Sequence, residues 1–296
     1  MNLTNYTSPY PNIGKAAISS PVGRRILNQD DRLPALEIAK VDPEKFKHSM
    51  AVGQIINNKT NEKGTAFRVG PGNSVMTNAH ILSSGDPKDY RIEFTDSEGI
   101  ITRVDGDRML FFSPAPYEKN PRPDMSTPQK LDVALFSINP SQFDQVKGFG
   151  YLDLDAEGAK PGQQIYIPQH GRIEQRLTDG TVREHHYKTI ALSDDVLGPQ
   201  RPGRVKQVRL DKDFHPYYHR EVVSYSLDTH HGASGAPVIS VDSHKVVAMN
   251  FGSKVSTPTN KTGANEAVNM SAVWQLVKGF LRDDTAQPAA VANLQR

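Results

Sequence analysis

The turn "GASGAP", residues 232–237, sets one hydroxyl, Ser234, among residues with almost no side chain. A serine hydroxyl is a poor nucleophile until a neutral imidazole takes its proton. The imidazole in turn needs a carboxylate on its other nitrogen, which fixes the tautomer and stabilises the imidazolium. The chain offers both groups. "VMTNAHIL" puts His80 just after a strand-like run, and "LDVALFSI" puts Asp132 at the head of an apolar one. The order is His, Asp, Ser, with gaps of 52 and 102 residues. Attack by such a serine creates an oxyanion, which needs N–H donors already in place. The amides of Gly232 and Ser234 are the candidates, because Gly232 lets the backbone turn its amides inward and Gly235 permits a tight return. Any one of these motifs is commonplace. Together, each in its own strand or turn context, they point to attack on a carbonyl through a covalent acyl intermediate.

Such groups must be held by a frame, and the frame reads as β-sheet. From about Ala51 onward, alternating or β-branched runs such as "GTAFRVG", "YRIEFTD", "QIYIPQHG" and "KVVAMNF" are bounded by Gly, Pro, Asn and Asp. Many strands, little helix and no internal repeat predict an all-β antiparallel barrel or sandwich. About twelve strands in two groups, parted by the proline-rich "SPAPYEKNPRPDMSTPQ" and the connection after it, suit two small barrels better than one sheet. The expected division is a flexible leader over 1–45, a first barrel over 46–145 and a second over 146–268. A helix over 269–283 follows, with Val273, Leu276, Val277 and Phe280 at helical spacing and Ser271 as its N-cap. Residues 284–296 read as a frayed tail.

Composition narrows the chemistry. The 296 residues are ample for a buried core, and Lys plus Arg (35) nearly balance Asp plus Glu (33). A net charge of +2 carries no field that would mark a nucleic-acid or membrane partner. The absence of cysteine excludes disulfides, thiolate metal sites and cysteine nucleophiles. No metal or other cofactor is expected: His215 and His219 in "FHPYYH" lack the helix and the glutamate of a zinc motif, and "EHH" at Glu184 to His186 reads as strand. No stretch has the length of an apolar membrane span, and "MNLTNYTSPYPNIGKAAISSPVGRR" lacks the apolar core of a secretory signal. A cytoplasmic enzyme or one exported by a leaderless route, including a bacterial effector, both fit.

"TNAH", "DVALF" and "DTHHGASGAPV" together resemble the trypsin-like serine peptidases of the chymotrypsin fold, most closely their bacterial glutamyl-endopeptidase branch. "ILNQDDRLP" is similar to a segment near the mature N-terminus of that branch, and "IYIPQHG" to one of its strands, with Gly171 where proline is usual. "KVVAMNFGS" resembles its substrate-pocket strand, and the likeness runs from about residue 26 to 282. The resemblance implies two six-stranded antiparallel barrels with a cleft between them. His80 and Asp132 come from the first, and Ser234, the oxyanion turn of Gly232 and Ser234, and the specificity pocket from the second. Thr229 and Asn250 then line the S1 pocket, Asn250 standing where the branch has a histidine, and Phe251, Gly252 and Ser253 pair with the substrate as an added strand. Ala233 replaces the aspartate that captures a new N-terminus in digestive trypsins, so that ion-pair switch cannot operate here. The expected function is a serine endopeptidase acting on protein or peptide, its oligomeric state open with a monomer favoured. The competing readings are a protease fold kept as a binding scaffold and a nonproteolytic acyl-transfer enzyme.

Overall fold

A computed structural model describes residues 32–82, 85–114, 130–176, 181–185, 187–192, 205–211, 220–253 and 265–281. The first 31 residues of the leader, the tail over 284–296 and the "FHPYYH" histidines lie outside the described residues. The part of the leader that is described is structured. Strand β1 (Arg32–Pro34) leads into two short helices, α1 (Ala35–Val41) and α2 (Pro43–Met50). The carboxylate of Asp42 accepts from Lys45 N, which caps α2, and Pro43 opens its first turn.

Six strands close the first barrel: β2 (Val52–Asn57), β3 (Lys63–Arg68), β4 (Ser74–Thr77), β5 (Tyr90–Thr95), β6 (Ile101–Ser113) and β7 (Val133–Ile138). Their order around the barrel is β2-β3-β4-β7-β6-β5, every neighbour antiparallel. The pattern in β5 shows why: Tyr90, Ile92 and Phe94 are buried and the residues between them are not. Ile55, Val75, Val104, Phe112 and Phe136 fill the rest of the interior.

A short helix, α3 (Phe143–Val146), precedes the second half. There β8 (Ile165–Gln169), a two-stranded hairpin of β9 (Ile173–Arg176) and β10 (Val182–His185), β11 (Thr189–Ala191), β12 (Val205–Asp211), β13 (Arg220–Tyr225), β14 (Pro237–Ser240), β15 (Val246–Ser253) and β16 (Asn265–Asn269) follow. The main sheet runs β1-β11-β8-β14-β15-β16-β13-β12. The two-barrel, chymotrypsin-like architecture holds, with one refinement. The second sheet has eight strands because β1 adds to the edge of β11, and among the described residues it does not close. Helix α4 (Met270–Val277) buries Val273 and Val277. Its N-cap is Asn269 rather than Ser271, and that side chain accepts from Ala159 N instead of capping the helix.

The halves are not independent. One apolar cluster joins Phe67, Met76 and Leu135 of the first barrel to Tyr166, Ile239 and Met249 of the second sheet and to Ile38 and Phe46 of the N-terminal arm.

Candidate active site

His80 sits in a single 3-10 turn, Ala79–Leu82, directly after β4. Buried Ala79 leaves room for the chain to turn there. Asp132 precedes β7, the strand paired with β4, so the sheet itself brings the two residues together. The Asp132 carboxylate is 1% exposed and grips His80 twice. Oδ1 accepts from the His80 backbone N–H at 2.9 Å, and Oδ2 lies 2.8 Å from Nδ1. A ring nitrogen facing a carboxylate carries the proton, which leaves Nε2 as the base. Asp132 adopts φ 62°, a left-handed conformation that costs a non-glycine residue roughly 1–3 kcal/mol. Two bonds hold it there. Its N–H donates to Pro114 O, and its carbonyl accepts from Asn78 Nδ2 at 2.9 Å. Asn78 is fully buried beside His80, a support that reading the sequence as triad motifs did not single out.

The Ser234 turn rests against the same part of the first barrel. Thr65 N donates to Ser234 O at 2.8 Å. At Gly235, with φ 86°, an added Cβ would stand 2.1 Å from Thr65 O and 2.4 Å from Thr77 Oγ1. Only glycine fits there, and Thr77 is three residues ahead of His80. Among the described residues no hydrogen bond joins Ser234 Oγ to the His80 ring. Such bonds often tighten only when substrate is bound.

Five consecutive carbonyls of this turn have donors. His230 O takes Ala233 N at 2.8 Å, and His231 O takes Arg172 N at 2.7 Å. Gly232 O takes Thr65 Oγ1 at 2.7 Å. Ala233 O takes Asn250 Nδ2 at 2.8 Å as well as Ala236 N, and Ser234 O takes Thr65 N. In a trans peptide the carbonyl and the following N–H point in opposite directions. Carbonyls drawn into the protein at residues 231 and 233 therefore turn the N–H groups of Gly232 and Ser234 the other way. Neither amide donates to any acceptor among the described residues. Gly232 is at φ 92°, and a Cβ there would meet His170 O at 2.7 Å. The two glycines that flank the serine are thus fixed by both conformation and space.

The residues expected in the substrate pocket differ in burial. Thr229 is buried just ahead of the turn, and Phe251 and Gly252 are partly exposed. Asn250 is 1% exposed, and both ends of its amide have partners inside the protein: Nδ2 on Ala233 O, and Oδ1 accepting from Tyr225 OH at 2.6 Å. Strand β15 continues past β14, whose last aligned pair is Pro237 with Met249. Beyond a bulge at Phe251, Gly252 and Ser253 pair with β16. Thr65, Asn78 and Arg172 are the supports that motif reading passed over. "TNAH" contains Asn78 and "QHGR" ends in Arg172, but their importance lies in contacts across 54 and 59 positions.

A family model described as a trypsin-like peptidase domain matches residues 64–249, more than half of the chain. The chain belongs to that family. Among solved structures, the trypsin-like peptidase domain is similar to Deg5, with 16% identity and a TM-score of 0.50, over 84% of this chain and 97% of that one. It also matches the inactive form of the Rv3671c protease at 16% identity and a TM-score of 0.49, over 82% and 94% of the two chains. A third is the HtrA-type protease AlgW with a tripeptide, at 12% identity and 0.48, over 80% of this chain and 62% of that one. At these identities the likeness concerns the fold alone. No curated protein sequence matches the chain.

Proposed function

We propose that the chain is a serine endopeptidase that cleaves protein or peptide substrates through an acyl-enzyme. In this reading His80 Nε2 takes the Ser234 proton as Oγ bonds to the substrate carbonyl carbon. The imidazolium that forms is stabilised by Asp132, and the proton then goes to the leaving amine as the peptide C–N bond breaks. Water, deprotonated by the same His80, releases the acyl group and restores the serine. The N–H groups of Gly232 and Ser234 hold the oxyanion of both tetrahedral intermediates. The observation that carries this reading is the turn's hydrogen bonding: its carbonyls are drawn into the protein while these two amides have no acceptor among the described residues.

The substrate backbone adds as a strand along Phe251 to Ser253, where β15 runs beyond β14. Thr229 contributes a hydroxyl to the S1 pocket. The likeness of "TNAH", "DVALF" and "DTHHGASGAPV" supports a relation to the glutamyl-endopeptidase branch, with one difference. Position 250 carries a neutral amide instead of an imidazole, so it brings no charge to an acidic side chain.

A fluorophosphonate probe tests the reading. The intact protein is expected to gain one covalent adduct at Ser234, with Ser234→Ala and His80→Ala unlabelled. An unlabelled wild-type protein that is folded would favour the scaffold reading. A labelled protein without turnover of any peptide would favour acyl transfer to another acceptor.

A further inference from the structure

Asn250 makes more contacts with the nucleophile turn than any pocket-lining role requires. Its backbone N–H donates to Ala236 O and its carbonyl accepts from Gly235 N, both at 2.9 Å, so β15 is fastened to the turn on the far side of Ser234. Its side chain then reaches one residue ahead of the serine, to Ala233 O. That carbonyl can only accept, so the amide must present Nδ2 to it, and Oδ1 is left to take the phenolic proton of fully buried Tyr225. The Ala233 carbonyl belongs to the same planar unit as the Ser234 N–H. A donor that fixes one end of this peptide fixes the direction of the other. Ala233 itself has no side-chain group with which to anchor the turn, and it is fully buried.

From this geometry we infer that Asn250 is a positioning residue: its amide holds the Ala233–Ser234 peptide so that the Ser234 N–H faces the oxyanion. The inference rests on the serine endopeptidase reading for its catalytic consequence. The hydrogen bond is made to the protein and not to substrate, so its loss falls on transition-state stabilisation. Removing one oxyanion donor typically lowers kcat by about 10²–10³-fold. A carboxylate in place of the amide would repel the Ala233 carbonyl, whereas a protonated carboxyl would donate to it again.

Asn250→Asp and Asn250→Leu, assayed beside the wild-type protein on one chromogenic peptide, test this. Both are expected to lose about 10²-fold or more in kcat with KM little changed. The ratio of Asn250→Asp to wild-type kcat is expected to rise as the pH falls through titration of the new carboxyl. Taking the ratio removes the protonation of His80, which both proteins share. The Asn250→Leu ratio is expected to stay flat. Tyr225→Phe, which keeps Asn250 but frees its amide, is the milder variant should the others not fold, with a loss of about 10-fold.

A second readout needs no turnover. In a Ser234→Ala background, the amide cross-peak of position 234 is expected to move with pH in Asn250→Asp and to stay fixed with Asn250 present. A pH-independent Asn250→Asp ratio would overturn the inference, as would a loss carried by KM, which would place Asn250 in the S1 pocket. If the wild-type protein neither labels nor turns over, the endopeptidase reading fails, and the cross-peak still decides whether Asn250 sets the peptide.

Discussion

Arg68 and Lys188 are both buried cations, and the structure treats them differently. Arg68 ends β3 and is 1% exposed, with no ion-pair partner among the described residues. Its guanidinium donates instead to the carbonyls of Gly72, Val146, Lys147 and Gly150 and lies over the Phe143 ring. Burial lowers its pKa to about 10, so it stays charged at neutral pH. Lys188 lies where the N-terminal arm, the first barrel and the second sheet meet. Its ammonium donates to Ser49 O at 3.0 Å and Thr95 O at 3.3 Å, while its own carbonyl accepts from Ala35 N. Burial brings Lys188 down to about 7, against the opposing pull of Asp96. A planar fork with five donors can satisfy several fixed carbonyls at once, which a compact ammonium cannot. The closed barrel therefore keeps its buried charge, and the seam holds a group that titrates near neutrality.

The closed barrel also carries His80 and Asp132, and the largest effects are expected there. Asp132→Asn keeps the shape but replaces an acceptor with an amide, so His80 loses its preferred tautomer. A fall in kcat of about 10⁴-fold with the fold intact is expected, measured on a peptide substrate with circular dichroism as the control. Retention of kcat within about tenfold would separate Asp132 from the catalytic role. Arg68→Met is the next largest. It removes this donor from four inward-facing carbonyls, of which Lys147 O still accepts from Gly150 N, and each carbonyl left unpaired costs about 1–3 kcal/mol. A loss of roughly 3 kcal/mol or more in unfolding free energy by urea titration is expected, with little change in KM among molecules that remain folded. A near-neutral result would mean that water satisfies those carbonyls as well as the guanidinium does.

The legibility of the molecule follows the same line. His80, Asp132 and Ser234 sit in short motifs whose residue types state a chemical need, and β4, β7 and the Gly turn carry them in the frames that the alternation predicted. In the first barrel β5 was legible because it alternates, whereas β2, β4 and β7 are buried along their whole length and were legible as short β-branched or apolar runs bounded by turn residues. The arm was not. Helices α1 and α2 have 7 and 8 residues, too few for a clear apolar stripe, although "DP" at Asp42 and Pro43 is a readable helix start. Strand β1 gave no signal because three residues cannot show a period, and its pairing with β11 bridges more than 150 positions. Asn250 was read for what it offers a substrate. Its partners, Tyr225 and Ala233, are fixed by sheet register and turn geometry, which residue type alone does not reveal.

The seam gives the smallest and most specific test. Lys188 has a folded pKa of about 7 and an ordinary, much higher value in the unfolded chain. Between those values the unfolded chain binds one proton more, so stability rises with pH across the window. The penalty is full below about pH 7 and fades toward the unfolded value. From pH 7 to 8 this one group is expected to add about 1 kcal/mol of unfolding free energy. Lys188→Met removes the titration but also leaves the Ser49 and Thr95 carbonyls without this donor, which lowers stability by an amount independent of pH. Urea titrations of both proteins at pH 7 and pH 8 separate the two effects. The wild-type increment should exceed that of the variant, whatever the offset between them. Equal increments would mean that Lys188 stays charged in the seam, and that Arg68 and Lys188 are held alike after all.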